Sequence, residues 1–225
     1  LNQSLGQTLF IVWRKIELGL RSRHKSGVAS FLEYYNDLLR WEGLDPVDMV
    51  HEWPTELVAK VKADFEQAFA SSGLRGASCS LISGSTNQSI GNQVESFTTR
   101  RLTQFLNEFR IEKCSGAGYP DRELSQRGSR LKVALEMKAT SQWNPADSNR
   151  RVLTSSSDKI RNHFCPPIYH LNCTVMYDIS DSDDARINAL RLDFLQPTTT
   201  VNVRLEASVS HKILSNGTHP TSTFR

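Results

Sequence analysis

Nowhere in the 225 residues do about 20 consecutive apolar residues occur, the run that a membrane-spanning helix needs. The longest early apolar patch, Leu9 to Trp13, is broken at once by Arg14 and Lys15. A membrane-spanning helix is therefore not expected. Cysteine is sparse: Cys79, Cys114, Cys165 and Cys173 are far apart and form no CxxC pair, which argues against a zinc ribbon and a dense disulfide framework. Reduced thiols in a cytoplasm are the expectation. No HExxH or paired spacing joins the histidines, so His163 and His170 are read as structural. Asp178, Asp181, Asp183 and Asp184 lack the glycine and terminal glutamate of an EF-hand loop and predict a solvated turn. Internal repeats and low-complexity tracts are absent too, which removes solenoid and linker readings. What is present, 38% hydrophobic and 23% charged residues, suits one globular domain spanning 1–225 with a sizeable core.

The formal net charge of +3 is unevenly spread. Residues 1–99 hold 9 Lys/Arg against 11 Asp/Glu, a local −2, whereas residues 100–162 hold 13 against 7, a local +6. A basic segment beside an acidic remainder fits either a face presented to phosphates or a merely solvated surface.

Periodicity supplies the architecture. The first 70 residues read as helical: Phe31, Tyr34, Tyr35, Leu38 and Leu39 recur at helix spacing, and the run closes near Gly43. Thr55 is expected to cap a second helix whose stripe is Leu57, Val58, Val61, Phe65, Ala68 and Phe69. Between Ser71 and Gly91 the composition predicts a loop. From Gln93 a third helix places Val94, Phe97, Leu102, Phe105, Leu106 and Phe109 on one face, with Glu95 on its flank. The period then changes to two, with Leu131, Val133, Leu135 and Met137 alternating with Lys132, Ala134, Glu136 and Lys138. A helix near Ser157 to Phe164, a strand over His170 to Ile179 and another over Val201 to Val209 complete an α/β (α+β) reading, a short mixed sheet flanked by helices.

Strand geometry gives the middle segment its chemistry. Residues i and i+2 share a face, so Glu136 and Lys138 project side by side while Met137 turns into the core. Asp121 precedes that strand by enough residues for a hairpin, with Ser125 to Ser129 as the polar turn, and so can return beside Glu136. Small Ala134 leaves room next to Glu136. Two carboxylates a few ångströms apart suit a hard divalent cation. The alternative is a surface hairpin carrying a Glu–Lys ion pair of little energetic worth.

Gly118-Tyr119-Pro120-Asp121 and Glu136-Met137-Lys138-Ala139-Thr140 resemble the PD-(D/E)xK nuclease superfamily, and within it the type II restriction endonucleases. The resemblance covers roughly residues 91–179, the expected catalytic core; the N-terminal helices match no named family. It implies hydrolysis of double-stranded DNA at a specific sequence, with Mg²⁺ as cofactor and Mn²⁺ as a possible substitute. Asp121, Glu136 and the Met137 carbonyl would be the metal ligands, Lys138 would orient or polarise the attacking water, and Glu95 would be the acid that an earlier helix brings near the metal. A homodimer in a prokaryotic cytoplasm is implied as well, because two-fold symmetry is the simplest way to cut both strands of a palindrome. Alternatives are a repair or nicking nuclease on the same core and a non-catalytic DNA-binding protein. Candidate base readers are Gln126, Arg127, Asn149, Arg150 and Arg151, with Lys159 and Arg161 available to the DNA backbone. Ser155, Ser156 and Ser157 are expected to cap the next helix, and Trp143 either stacks on a base or belongs to the core.

Overall fold

The computed structural model describes residues 26–116, 119–141, 151–154, 157–181, 183–205, 211–215 and 220–225. Trp143, Asn149, Arg150, Ser155 and Ser156 lie outside them, as do residues 206–209 of the expected last strand and the side chain of Arg151.

Strand β1 (Ser26–Ser30) leads directly into helix α1 (Phe31–Trp41). Ser30 and Glu33 form a reciprocal capping box: the Glu33 N–H donates to Ser30 Oγ at 3.2 Å, and the Ser30 N–H donates to Glu33 Oε2 at 2.9 Å. Every residue of the predicted stripe, Phe31, Tyr34, Tyr35, Leu38 and Leu39, is buried. The helical reading of the first 70 residues is corrected at residues 26–30, which pair with another strand, while the irregular segment from Leu44 to Pro54 follows the expected close near Gly43.

Helix α2 (Thr55–Ser71) follows. Thr55 does not cap it: Pro54 holds the cap position without a side-chain bond, and Thr55 is the first helical residue. The helix stops at Ser72 and Gly73, whose φ of 64° only glycine adopts without strain. The predicted loop over 71–91 contains β2 (Ser78–Ser80) and the first turn of α3 (Asn87–Phe105). That turn carries little apolar signal because side chains hold it. Thr86 Oγ1 accepts from the Ser89 N–H, and the Gln93 amide donates to Ser85 Oγ and to the Ser89 carbonyl. Phe105 is exposed and Phe109 belongs to the next strand, so neither continues the buried face of α3.

Strands β3 (Phe109–Lys113), β4 (Arg122–Gln126) and β5 (Lys132–Thr140) form an antiparallel meander. Because β4 runs to Gln126, the turn begins at Arg127 rather than Ser125. Strand β6 (Arg151–Thr154) and helix α4 (Asp158–His163) lead to the long strands β7 (Tyr169–Asp181) and β8 (Asp184–Leu195). The expected solvated turn is corrected: of its four aspartates only Asp183 lies in the β7–β8 connection, while Asp178 and Asp181 belong to β7 and Asp184 opens β8. Strands β9 (Thr200–Leu205), β10 (His211–Ser215) and β11 (Thr221–Phe224) end the described chain. Among the described residues, the central mixed sheet runs β11-β8-β7-β5-β4-β3, with β2 on β8 and the β5–β7 pair parallel. A smaller sheet runs β1-β9-β10-β6.

Two apolar clusters cover the two faces of the central sheet. Val133, Leu135, Met137 and Ala139 of β5 pack with Val61 and Phe65 of α2 and Val94 and Leu102 of α3. Ala134 belongs instead with Phe31, Tyr35 and Leu39 of α1 and with Val201 of the smaller sheet. The chain is thus a mixed sheet flanked by helices, with β5 buried on both faces.

Candidate active site

The β4–β5 register pairs Arg122 with Leu135 and Glu123 with Ala134, and the ladder stops there. Asp121 is the next residue back along β4 and Glu136 the next residue forward along β5, so the hairpin delivers the two to each other. The Asp121 N–H donates to Glu136 Oε2 at 3.1 Å. Lys138, two residues on and facing the same way, sets its Nζ 2.5 Å from Glu136 Oε1 and 3.8 Å from Asp121 Oδ2. The predicted triad is therefore assembled, and its parts differ in exposure. Glu136 is buried, the Lys138 side chain is 18% exposed, and that of Asp121 is 47% exposed. From Glu136 onward, β5 has no strand partner on the β4 side among the described residues.

Burial dominates the electrostatics. It pushes the Glu136 carboxyl up to about 7, with the Asp121 charge adding and the Lys138 ammonium opposing. For Lys138, burial favours the neutral amine, but the charges of Glu136, Glu95 and Asp121 outweigh it and hold the ammonium above its ordinary range. Glu95 feels this group from α3: burial raises its carboxyl to about 7, offset in part by Lys138 and Arg122. Glu95 stands well inside α3, eight residues after Asn87, and not at the helix start. Among the described residues, no three His, Cys, Asp or Glu side chains converge closely enough to hold a metal ion by themselves. The nearest approach to such a site is Asp121 with Glu136, and Lys138 lies between them.

Behind the triad, two polar chains hold the approach to Asp121. The Tyr119 hydroxyl lies 2.7 Å from His170 Nδ1, and His170 Nε2 lies 3.0 Å from the Met49 carbonyl. A carbonyl only accepts, so Nε2 carries the proton and Nδ1 accepts from Tyr119. Burial drives the His170 imidazolium down to about 4, and the structural reading of this residue holds. On the β4 side, buried Glu123 takes Lys132 Nζ at 3.0 Å and His163 Nε2 at 2.7 Å, tying α4 to the hairpin.

The candidate DNA contacts divide. Lys159 donates to the Gly116 carbonyl at 3.2 Å, on the segment leading to Asp121. Arg161 reaches Ser157 Oγ at 2.8 Å and pairs with Asp158. Ser157 does not cap α4 through its side chain; its N–H and hydroxyl both turn to Glu42. Gln126 and Arg127 sit at the far end of β4, roughly 17 Å from Asp121 at the rise of an extended strand. They line a concavity of about 470 Å³ together with Arg110, Arg130 and Lys132. Residues that the sequence reading missed are Arg122, whose buried Nε has no partner among the described residues and whose charge acts on Glu95, and Tyr119 with its histidine. The polar alternation of His170, Asn172 and Thr174 within an otherwise apolar strand was the available signal for the second group.

No family model matches the chain, and no curated protein matches it. Among solved structures, it is similar to the restriction endonuclease BglI bound to its DNA recognition sequence, with 10% identity over 86% of this chain and 89% of that one. The TM-score of 0.35 makes this a distant likeness that carries no argument about activity.

Proposed function

We propose that this protein is a metal-dependent endonuclease acting on double-stranded DNA at a specific sequence, in the manner of type II restriction endonucleases. The observation that carries the reading is the single Lys138 ammonium set against two carboxylates, Glu136 at 2.5 Å and Asp121 at 3.8 Å, where β5 has run past the end of its ladder with β4. Glu136 is 2% exposed, so this is not the solvated surface pair of little energetic worth.

Asp121 and Glu136, with the Met137 carbonyl, are the residues that would hold Mg²⁺ or Mn²⁺. The donor set fits: two hard carboxylate oxygens side by side, one open to water and one anchored by a backbone N–H. A divalent cation bound there would supply a water of lowered pKa and positive charge beside the scissile phosphate. Lys138 is placed to orient the attacking water and to stabilise charge that develops on the phosphate. Glu95 is close enough to act on the same group through its charge and is the candidate third acid. Lys159, beside Gly116, is the candidate backbone contact nearest the chemistry. Arg161 and the remote Gln126 and Arg127 would need the DNA to extend along the hairpin, and Asn149, Arg150 and Arg151 remain candidate base readers.

The test is digestion of a sequenced plasmid by the purified protein in Mg²⁺. Discrete fragments are expected, and Asp121→Asn and Glu136→Gln should abolish them while DNA binding persists. Cleavage that survives in both variants would place the chemistry elsewhere.

A further inference from the structure

The parallel register of β5 and β7 sets Asn172 beside Glu136 and Thr174 beside Lys138. Neighbouring strands lie about 4.8 Å apart, and register partners share a face. Asn172 is 1% exposed and Thr174 is 0% exposed. Among the described residues, both amide atoms of Asn172 and the hydroxyl of Thr174 have no hydrogen-bond partner. An unmet buried polar group costs about 1–3 kcal/mol, a cost that an apolar side chain of the same shape would remove. Elsewhere β7 takes that course: opposite Leu135 stands Leu171, and opposite Met137 stands Cys173, both in the apolar cluster. The unmet polar groups fall opposite the two residues of β5 that bear the chemistry.

We propose that Asn172 and Thr174 are positioning residues, second hydrogen-bond partners for the Glu136 carboxylate and the Lys138 ammonium when those two separate. The separation itself rests on the nuclease reading, in which Glu136 turns to a cation and Lys138 to water. Glu136 now accepts from Lys138 Nζ and from the Asp121 N–H. A carboxylate has about four lone-pair sites, so an Asn172 N–H can be accommodated as Lys138 leaves. The Thr174 hydroxyl can accept from the ammonium, which has three protons to donate. Outer partners of this kind fix the direction of a ligating carboxylate, and removing them typically weakens metal affinity or activity by about 10- to 100-fold.

Asn172→Leu and Thr174→Val delete the polar atoms at nearly constant volume, and Thr174→Ser keeps the hydroxyl. Without cation, melting temperatures of the first two should be unchanged or higher, because an unmet group has been removed. Titration calorimetry with Mn²⁺ alone should show affinity down roughly 10-fold or more in Asn172→Leu. Single-turnover DNA cleavage should fall comparably in both variants and return in Thr174→Ser. A parent that cuts DNA, with variants that bind Mn²⁺ and cut equally well, would overturn the positioning role alone. A parent that binds Mn²⁺ and weakens in Asn172→Leu but cuts no DNA would overturn the nuclease reading alone, while no binding and no cutting would overturn both. A clear fall in melting temperature in both variants would mark the groups as structural and overturn the role as well.

Discussion

Lys138 is the residue on which a nuclease and a salt-bridged hairpin differ most. If its ammonium serves only as partner to Glu136, replacing it leaves a buried carboxyl that protonates and costs stability. If it stabilises charge that appears only in the transition state, Lys138→Ala should slow single-turnover cleavage by about 10²- to 10³-fold. Affinity for the duplex, measured in Ca²⁺, should change little. Equal losses in rate and affinity would reduce Lys138 to a phosphate contact. His170 offers a second test at this scale, independent of catalysis. Its imidazolium is depressed from 6.5 to about 4 by burial, so between those pH values the unfolded chain takes up a proton that the folded chain refuses. The stability that His170 contributes is therefore fully present above pH 6.5 and lost as pH falls towards 4, by on the order of 3 kcal/mol. Urea titrations of the parent and of His170→Gln at pH 7.5 and pH 4.5 should show the parent losing more stability of the two. Parallel losses would mean that His170 is protonated in the fold.

At the scale of elements, the hairpin depends on how the α3–β3 junction is anchored. Asp64 on α2 is buried, and its carboxylate accepts from the backbone N–H groups of Asn107, Glu108 and Phe109 at 2.8, 3.1 and 3.0 Å. This one side chain satisfies the turn that carries the chain from the Glu95 helix into the β3-β4-β5 meander. Asp64→Ala should therefore cost about 3 kcal/mol, since three backbone donors lose a charged acceptor at once. A chemical denaturation midpoint within error of the parent would show that water replaces the carboxylate freely. The meander also explains why the triad assembles although Asp121 and Glu136 are 15 residues apart. Antiparallel pairing from Ser125 with Lys132 to Arg122 with Leu135 leaves no other place for Asp121 than beside Glu136.

For the whole molecule, the excess of basic residues lies in 100–162, and much of it is on the hairpin and α4. Lys132, Lys138 and Arg161 are already matched to carboxylates, whereas Arg127 and Arg130 are exposed at the hairpin tip. Binding to duplex DNA should weaken steeply with salt, because neutralised phosphates release counterions. Six or more phosphate contacts would cost about 10³-fold or more between roughly 50 and 200 mM. A flat dependence would remove nucleic acid as the partner. Sedimentation with and without a duplex should show a two-fold dimer if both strands are cut together, while a monomer that nicks one strand would favour the nicking alternative.

Local pattern determined a good deal. The period-two run from Leu131 to Lys138 specifies a strand with Glu136 and Lys138 on one face, and the stripes of α1 and α2 specify helices, because side-chain direction follows directly from backbone geometry. The approach of Asp121 was legible in the same way, since only a hairpin fits between it and Glu136. Other features were decided by the tertiary structure. Residues 26–30 became a strand because Thr200–Leu205 pairs with them, a non-local choice that no spacing within those five residues encodes. Strand β8 forms between β7 and β11, where long-range pairing and burial override a segment that opens on aspartates. The parallel neighbour of β5, and with it the placing of Asn172 and Thr174 beside Glu136 and Lys138, depends on a crossover from residue 140 to residue 169. Sequence separation hides such a contact, because the register between distant strands is set by the packing of the whole sheet and not by either strand alone.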